Sequence, residues 1–132
     1  MEAIELGPLY FNGRFESDIK SVCDSERGLV VIVDTLDESG NDSNLKFTFG
    51  ISLAYRYLDE TDLVYYWDTG LFFSRHHIYQ IVKGGWSNGT VPTKKIMHFT
   101  HAKNHNEYFI TTSNGCMNIV SEQPPTIEVM NV

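Results

Sequence analysis

The chain of 132 residues is poor in cysteine and has no long apolar run, and each of these absences excludes a class of protein. Its two cysteines, Cys23 and Cys116, are too few for a disulfide scaffold and lack the short spacing of paired metal ligands, so we predict buried, reduced thiols. No apolar run approaches the roughly 18 residues that a membrane helix needs. The first residues, MEAIELGPLYF, carry acids where a signal peptide carries bases. A soluble cytoplasmic protein is predicted.

Basic residues are also scarce, since ten lysines and arginines stand against 17 acids and give a formal net charge of −7. The first 68 residues hold 14 acids and 5 bases, whereas residues 69–132 hold 3 acids and 5 bases. A surface of this sign repels a phosphate backbone and attracts a basic partner. We therefore predict no binding to nucleic acid or membrane. A hydrophobic content of 42% suits a single domain that spans residues 1–132.

The longest dense block of aromatic, aliphatic and acidic residues is LKFTFGISLAYRYLDETDLVYYW, residues 45–67. Leu45, Phe47 and Phe49 alternate with polar residues, Gly50 interrupts the run, and the alternation resumes up to Tyr57. This period of two predicts one long strand over residues 45–57 that bends at the glycine.

Acidic residues follow the predicted long strand, and residues 59–62 read DETD. Carboxylates just before Leu63 favour the first turn of a short helix, and its predicted cap is Asp59 or Thr61.

Shorter runs predict further strands at residues 4–11, 29–33, 78–82, 108–112, 116–120 and 126–130, and residues 71–73 are another candidate. Residues 16–23 fit either a short helix or a strand. Asn114-Gly115 predicts a type I′ turn between two of the strands. The sum is an α+β domain built on an antiparallel β-sheet of about six strands with one or two short helices.

Histidines offer two possible sites of chemistry, and neither is favoured. His98, His101 and His105 could hold a metal ion on one helical face, but a polar loop fits their surroundings better. His76-His77 could act as a general base oriented by Glu60 or Asp62, but a partly exposed strand end is the simpler interpretation.

Motifs of catalysis and phosphate binding do not appear in the sequence. There is no nucleophile elbow, and Gly84-Gly85 lacks the lysine and hydroxyl order of a phosphate loop. We therefore predict no catalytic residue, no metal and no cofactor.

Acidic residues flank the predicted long strand on both sides, and tyrosines and a tryptophan accompany them. Each acid alone fits solvated loop charge. Together they predict a negative surface with amphipathic aromatic anchors, as found at protein interfaces. The predicted partner-binding residues are Asp37, Glu38, Asp42, Asp59, Glu60, Asp62, Tyr65, Tyr66, Trp67 and Asp68. Arg56 lies between two tyrosines and is expected to pair with Asp59 or Glu60.

Several short segments together resemble small bacterial immunity proteins of contact-dependent inhibition and related polymorphic toxin systems. The resemblance covers about half of the chain. It rests on residues 47–50 (FTFG), 54–56 (AYR), 59–62 (DETD), 108–112 (YFITT) and 119–121 (IVS), with Pro125 and Ile127. In the family pattern a histidine precedes the tyrosine that corresponds to Tyr108, whereas Glu107 occupies that position in this chain. Any role of the family histidine is therefore not assigned to this chain.

The resemblance implies a non-enzymatic protein that binds one cognate toxin domain, often a nuclease with a basic cleft, and blocks it. The acidic first half of the chain independently fits a basic partner. Two alternatives come from other classes. One is a small metal-dependent or histidine-based hydrolase, and the other is a self-associating subunit such as a homodimer.

Overall fold

The computed structural model of the chain describes residues 1–9, 15–87 and 105–131. These residues form nine β-strands, one 3₁₀ turn and one short α-helix. In chain order the elements are β1 (Glu2–Leu6), β2 (Asp18–Ser25), β3 (Gly28–Leu36), β4 (Asp42–Phe49), β5 (Ser52–Leu58), the 3₁₀ turn Glu60–Leu63, α1 (Val64–Asp68), β6 (Ile78–Lys83), β7 (Asn106–Thr111), β8 (Cys116–Ser121) and β9 (Thr126–Asn131). Within these ranges, no helix has the length and apolar character needed to cross a membrane.

The strands form two antiparallel sheets. The five-stranded sheet has the order β1-β6-β7-β8-β5, and the four-stranded sheet has the order β2-β3-β4-β9. Consecutive strands pair in the hairpins β2–β3, β3–β4 and β7–β8, because short turns join antiparallel neighbours. The edge strands are therefore β1 and β5 in one sheet and β2 and β9 in the other.

The main core lies between the two sheets. Alternate residues of each strand point to the same face, so the apolar alternation of β3 and β4 places one row of side chains inward. The four-stranded sheet contributes Leu29, Val31, Val33, Leu45, Phe47 and Phe49, and the five-stranded sheet contributes Ile78, Tyr108, Ile110, Met117 and Ile119. All of these side chains are at most 1% exposed, so the two sheets share one core.

A second apolar cluster lies on the opposite face of the five-stranded sheet, beneath the helical segment. Tyr66 of α1 stacks on Phe109 of the sheet with ring centroids 4.3 Å apart. Phe72, from the loop after α1, meets Phe109 and Tyr79 edge-on, at 4.9 Å in each case. The fold thus has three layers, in which the five-stranded sheet is covered on both faces.

The predicted antiparallel β-structure with one or two short helices is confirmed, but the predicted single sheet of about six strands is wrong. The predicted long strand is in fact β4 and β5. Phe49 pairs with Leu29 in the four-stranded sheet, whereas Ser52 pairs with Ser121 in the five-stranded sheet. Residues 50–51 therefore carry the chain from one sheet to the other. The alternation continues because Tyr55 and Tyr57, which lie opposite Ile119 and Met117, point to the same side of their sheet as these core residues, although both tyrosines are exposed.

Some local predictions also need correction. Residues 16–23 contribute to a strand, β2, rather than a helix, and residues 71–73 form no strand. Cys116 is buried as predicted, but Cys23 on the edge strand β2 is exposed, and no disulfide joins them. The Asn114-Gly115 turn is not type I′, because neither residue has a positive φ. Predictions for His98 and His101 lie outside the described residues.

Candidate functional site

The helical segment, residues 59–68, is anchored to the outer face of the five-stranded sheet by one side and exposed on the other. Asp59 is the N-cap, as predicted, and its carboxylate accepts a hydrogen bond from the backbone N–H of Thr61 at 3.1 Å. Leu63 and Tyr66 turn inward and are buried. Val64 and Tyr65 point outward and are exposed by 56% and 37%. The segment is therefore amphipathic even though it is short.

The exposed face of this segment combines apolar side chains with carboxylates, and we call it the helical surface. Trp67 is half-buried and lies 6.0 Å from Phe73 and 6.3 Å from the buried Phe109, between ring centroids. Phe73 is 53% exposed. The helical surface comprises the carboxylates Asp59, Asp62 and Asp68 and the apolar side chains Val64, Tyr65, Trp67, Leu71 and Phe73. Its aromatic rings are thus supported from below by the second apolar cluster.

The carboxylates of the helical surface form no ion pair within the described part of the chain. None of Asp59, Asp62 and Asp68 forms an ion pair there with a lysine or arginine. All three residues are exposed, so their field extends into solvent. Uncompensated charge of one sign beside apolar rings favours a partner that is basic and that also has apolar surface.

A polar cluster beneath the helical surface fixes α1 to the sheet. Arg56 of β5 donates from Nε to Oδ1 of Asn118 at 2.9 Å and from Nη2 to the hydroxyl of Tyr66 at 3.1 Å. The Tyr66 hydroxyl donates to the same Asn118 oxygen at 3.2 Å. Burial raises the pKa of Tyr66, so its phenol keeps the proton that it donates. The predicted pairing of Arg56 with Asp59 is therefore not found, and the alternative partner Glu60 has a side chain outside the described part of the structure.

Glu107 extends this cluster to residues 84–87. Its Oε1 accepts the backbone N–H of Ser87 at 2.7 Å, and its Oε2 accepts the backbone N–H of Trp86 at 2.9 Å. Asn118 donates from Nδ2 to the same Oε2 at 3.4 Å. The ring centroid of Trp86 lies 4.5 Å from the guanidinium carbon of Arg56, within the distance of a cation–π interaction. One buried carboxylate thus positions the loop that supports the arginine.

The predicted partner-binding residues fall on two separate elements. Three of them lie at the β3–β4 turn of the four-stranded sheet, and five lie on the helical surface, which covers the five-stranded sheet. The first group is Asp37, Glu38 and Asp42, and the second is Asp59, Asp62, Tyr65, Trp67 and Asp68. The Asp37 carboxylate is already engaged, because it accepts the backbone N–H groups of Ser39 and Asn41 at 2.9 Å each. Only the second group lies on a segment whose sequence contains aromatic residues.

Tyr66 must be removed from the predicted set, because it is fully buried and cannot touch a partner. The side chain of Glu60 lies outside what the structure describes. Sequence reasoning missed Val64, Leu71 and Phe73, the last two because they were assigned to a strand. One sequence signal could have placed Phe73 in a loop. Gly70 is typical of a residue that ends a helix, and Phe73 follows it closely, five residues after the last residue of α1.

Comparison with known proteins leaves this surface without a precedent. No family model, curated protein or solved structure matches the chain. The candidate site is therefore defined by its own geometry.

The two histidines considered for catalysis face groups other than the predicted acids. His77 is fully buried, and its ring contacts the hydroxyl of Thr35 (Nε2, 2.7 Å) and the carbonyl of Thr111 (Nδ1, 2.8 Å). A carbonyl only accepts, so Nδ1 carries the proton and Nε2 accepts from Thr35. His76 lies 3.3 Å from Glu5 and forms no ion pair with the predicted Asp62, and the side chain of Glu60 lies outside the described part of the chain. His77 therefore joins the two sheets, since Thr35 and Thr111 belong to different sheets.

We expect His77 to make stability depend on pH. Burial lowers the pKa of His77 below 6.5 in the folded protein, so the unfolded chain binds this proton first as the pH falls. Stability is then fully present above pH 6.5 and decreases below it, by up to about 1.4 kcal/mol per pH unit. Chemical unfolding at several pH values between 8 and 5 measures the slope. The His77→Gln variant should have a smaller slope than the parent, and an equal slope would contradict this role.

A cavity of about 260 Å³ lies near the ends of β6 and β7. The carboxylate that lines it, Glu107, already accepts hydrogen bonds from the backbone. The lining of the cavity includes Gln80, Ser87, His105 and Glu107. Each oxygen of Glu107 accepts a backbone N–H group. Glu107 is therefore poorly placed to act as a general base. Among the described residues, no three His, Cys, Asp or Glu side chains are grouped to hold a metal ion.

Proposed function

We propose that this protein is a non-enzymatic immunity protein that binds and neutralises a cognate bacterial toxin domain through the helical surface. The observation that carries the proposal is the placement of Trp67, Phe73 and exposed carboxylates on one segment, where the described residues form no ion pair with these carboxylates. Aromatic anchors dominate the binding energy of many interfaces, and surrounding charges select the partner and speed its approach.

The partner that this surface fits is a basic domain, and we propose a nuclease. A nuclease has a cleft that attracts phosphate groups, and carboxylates mimic the charge of the phosphates. The β3–β4 turn, with Glu38 and Asp42, would add negative potential without direct contact. The proposed location is the cytoplasm, where reduced cysteines such as the exposed Cys23 persist.

The direct test is titration of the protein with the toxin-like domain encoded immediately upstream of its gene. Calorimetry measures the affinity, and stopped-flow fluorescence measures the association rate at low and high salt. We expect tight one-to-one binding. The association rate should fall steeply as salt rises, because screening removes the attraction between the carboxylates and a basic cleft.

Substitutions on the helical surface should separate the aromatic and acidic contributions. Phe73→Ala should weaken binding by about 2 kcal/mol, or about thirtyfold, mainly through faster dissociation. The double variant Asp62→Asn/Asp68→Asn should slow association at low salt and change it little at high salt. Asp59 is left intact because it caps the helical segment.

The matched control is the double variant Glu38→Gln/Asp42→Asn, which removes two exposed charges from the β3–β4 turn. It should lower the association rate only slightly. If this control abolishes binding while the helical variants do not, the proposed surface is wrong. If the unsubstituted protein does not bind the toxin-like domain at micromolar concentration, the proposed function itself is wrong.

A further inference from the structure

Three of the four sheet edges are protected against pairing with another strand. Exposed edges invite pairing, and natural proteins block it with charged side chains, prolines or bulges. β1 carries two glutamates, β2 carries three charged residues and a register shift, and β9 follows two prolines and carries a glutamate. The protecting residues are Glu2, Glu5, Asp18, Lys20, Asp24, Pro124, Pro125 and Glu128.

The fourth edge, β5, is protected only at its start, by a register shift against β8 between Ser52 and Ala54, and it has no proline and no acidic residue. In the described part of the chain β5 has a neighbour on one side only, β8, and its register with β8 is regular from Ala54 to Leu58. Its sequence, SLAYRYL, contains no proline and one charged residue, Arg56. The guanidinium of Arg56 donates to Asn118 of β8 and is thus directed toward the neighbouring strand rather than the open side. The strand is therefore an apolar, aromatic edge of high β-propensity.

Two tyrosines flank Arg56 on the other face of the strand, and both are held in place. Tyr55 is 39% exposed, and the nearby carboxylate of Asp24 raises the pKa of its hydroxyl. Tyr57 is 55% exposed, and its ring lies so close to Gly115 that a Cβ there would overlap it. Rings that are fixed before association lose little entropy when a partner covers them.

We propose that β5 pairs antiparallel with β5 of a second copy of this chain, with the two-fold axis at Arg56. In this register Tyr55 lies opposite Tyr57 of the partner subunit, and Ala54 lies opposite Leu58 of the partner subunit. Each tyrosine then forms an aromatic cross-strand pair, and the two five-stranded sheets become one continuous sheet. The sequence is self-complementary about Arg56, which favours a second copy over a strand of another protein.

The two Arg56 side chains at the axis carry like charges, but each is engaged within its own chain. Each guanidinium is directed toward its own Asn118 and Tyr66, on the β8 side of the strand. The net charge of −7 does oppose association of two copies at long range. Self-association should therefore strengthen as salt rises, whereas binding to a basic toxin should weaken.

Sedimentation velocity over a wide range of protein concentration tests the dimer. We expect reversible dimerisation that is weakened tenfold or more by Tyr55→Lys or Tyr57→Lys, because an edge lysine blocks strand pairing. The matched control is Val22→Lys on β2, an edge position of similar exposure (41%), which should leave the dimer unchanged. A protein that stays monomeric at the highest concentration, or a control that dissociates it equally, would overturn the proposal.

Cross-linking tests the register and does not depend on the lysine variants. In a Cys23→Ser background, Tyr55→Cys and Tyr57→Cys are prepared separately and oxidised alone or mixed. Directly opposed residues lie about 4.5–5.5 Å apart between Cα atoms, within disulfide range, whereas diagonal neighbours lie about 7–8 Å apart. The mixture should therefore form the covalent dimer faster than either variant alone. Equal rates in all three samples would exclude this register.

Discussion

Replacing Glu107 by glutamine should lower the free energy of unfolding by about 2–3 kcal/mol, although the two side chains have nearly the same shape. Glu107 is 3% exposed, and its two oxygens accept the backbone N–H groups of Trp86 and Ser87. Glutamine has one accepting oxygen, so its amide group would face the N–H of one of these residues. A buried donor would then lose its acceptor and meet another donor, which costs more than a missing contact.

Denaturant unfolding of the variant measures this loss. The matched control is Glu128→Gln, the same chemical change at an exposed position of β9, which should alter stability by no more than about 0.5 kcal/mol. A loss for Glu107→Gln as small as that of the control would mean that water satisfies the backbone N–H that loses its acceptor. The variant should also weaken toxin binding, because Trp86 supports Arg56 and Arg56 bonds to Tyr66 of α1.

The environment of Glu107 also explains a pair of glycines. Gly84 has a φ of 79°, and a Cβ on Gly85 would overlap the Glu107 carboxylate. The glycines therefore let the backbone curl around an anion, as in phosphate-binding loops, but the anion belongs to the protein itself. Sequence analysis predicted no phosphate loop at Gly84-Gly85, and the structure places the Glu107 carboxylate against these glycines. It could not find the carboxylate, because Glu107 lies more than 20 residues away in sequence.

Elements whose stabilising contacts are local were predictable. The β7–β8 hairpin follows from two apolar runs around a short polar turn, and the helical segment follows from an acidic cap at Asp59. The split of residues 45–57 between two sheets was not predictable from alternation. Tyr55 and Tyr57 point to the side of their sheet that carries the core residues Ile119 and Met117, although both tyrosines are exposed, so the period of two continues while the chain changes sheets.

The candidate site was predictable only in part, for a similar reason. The acids of the helical segment and Trp67 were identified from composition, since charge and aromatic content need no knowledge of the fold. Which rings are exposed depends on packing. Tyr66 is buried because Phe109 of another strand lies beneath it, and Phe73 is exposed because residues 71–73 form a loop rather than a strand.

We expect the second large loss of unfolding free energy for Gly28→Ala, because Gly28 lies against the point at Gly50 where the chain changes sheets. Gly28 opens β3 with a φ of 111°, a conformation that L-residues rarely adopt. A Cβ there would overlap the backbone carbonyl oxygens of Phe49 and Gly50, where the chain leaves the four-stranded sheet. Backbone strain costs about 1–3 kcal/mol, and moving the packed backbone away from the new Cβ costs about as much again. Together they predict a loss of about 2–6 kcal/mol in unfolding free energy.

Gly50→Ala is the matched control, because the two glycines meet at the same point of the fold. Nothing lies within 4 Å of a Cβ on Gly50, and its φ is outside the left-handed region. Alanine there should be neutral or should stabilise by about 0.4–1 kcal/mol through the unfolded chain. Denaturant unfolding of both variants measures whether the junction between β4 and β5 is rigid or adapts to an added methyl group. If only Gly28→Ala is destabilised, close approach of the β2–β3 turn holds the crossing strand in place, whereas equal values would mean that the junction adapts to a methyl group.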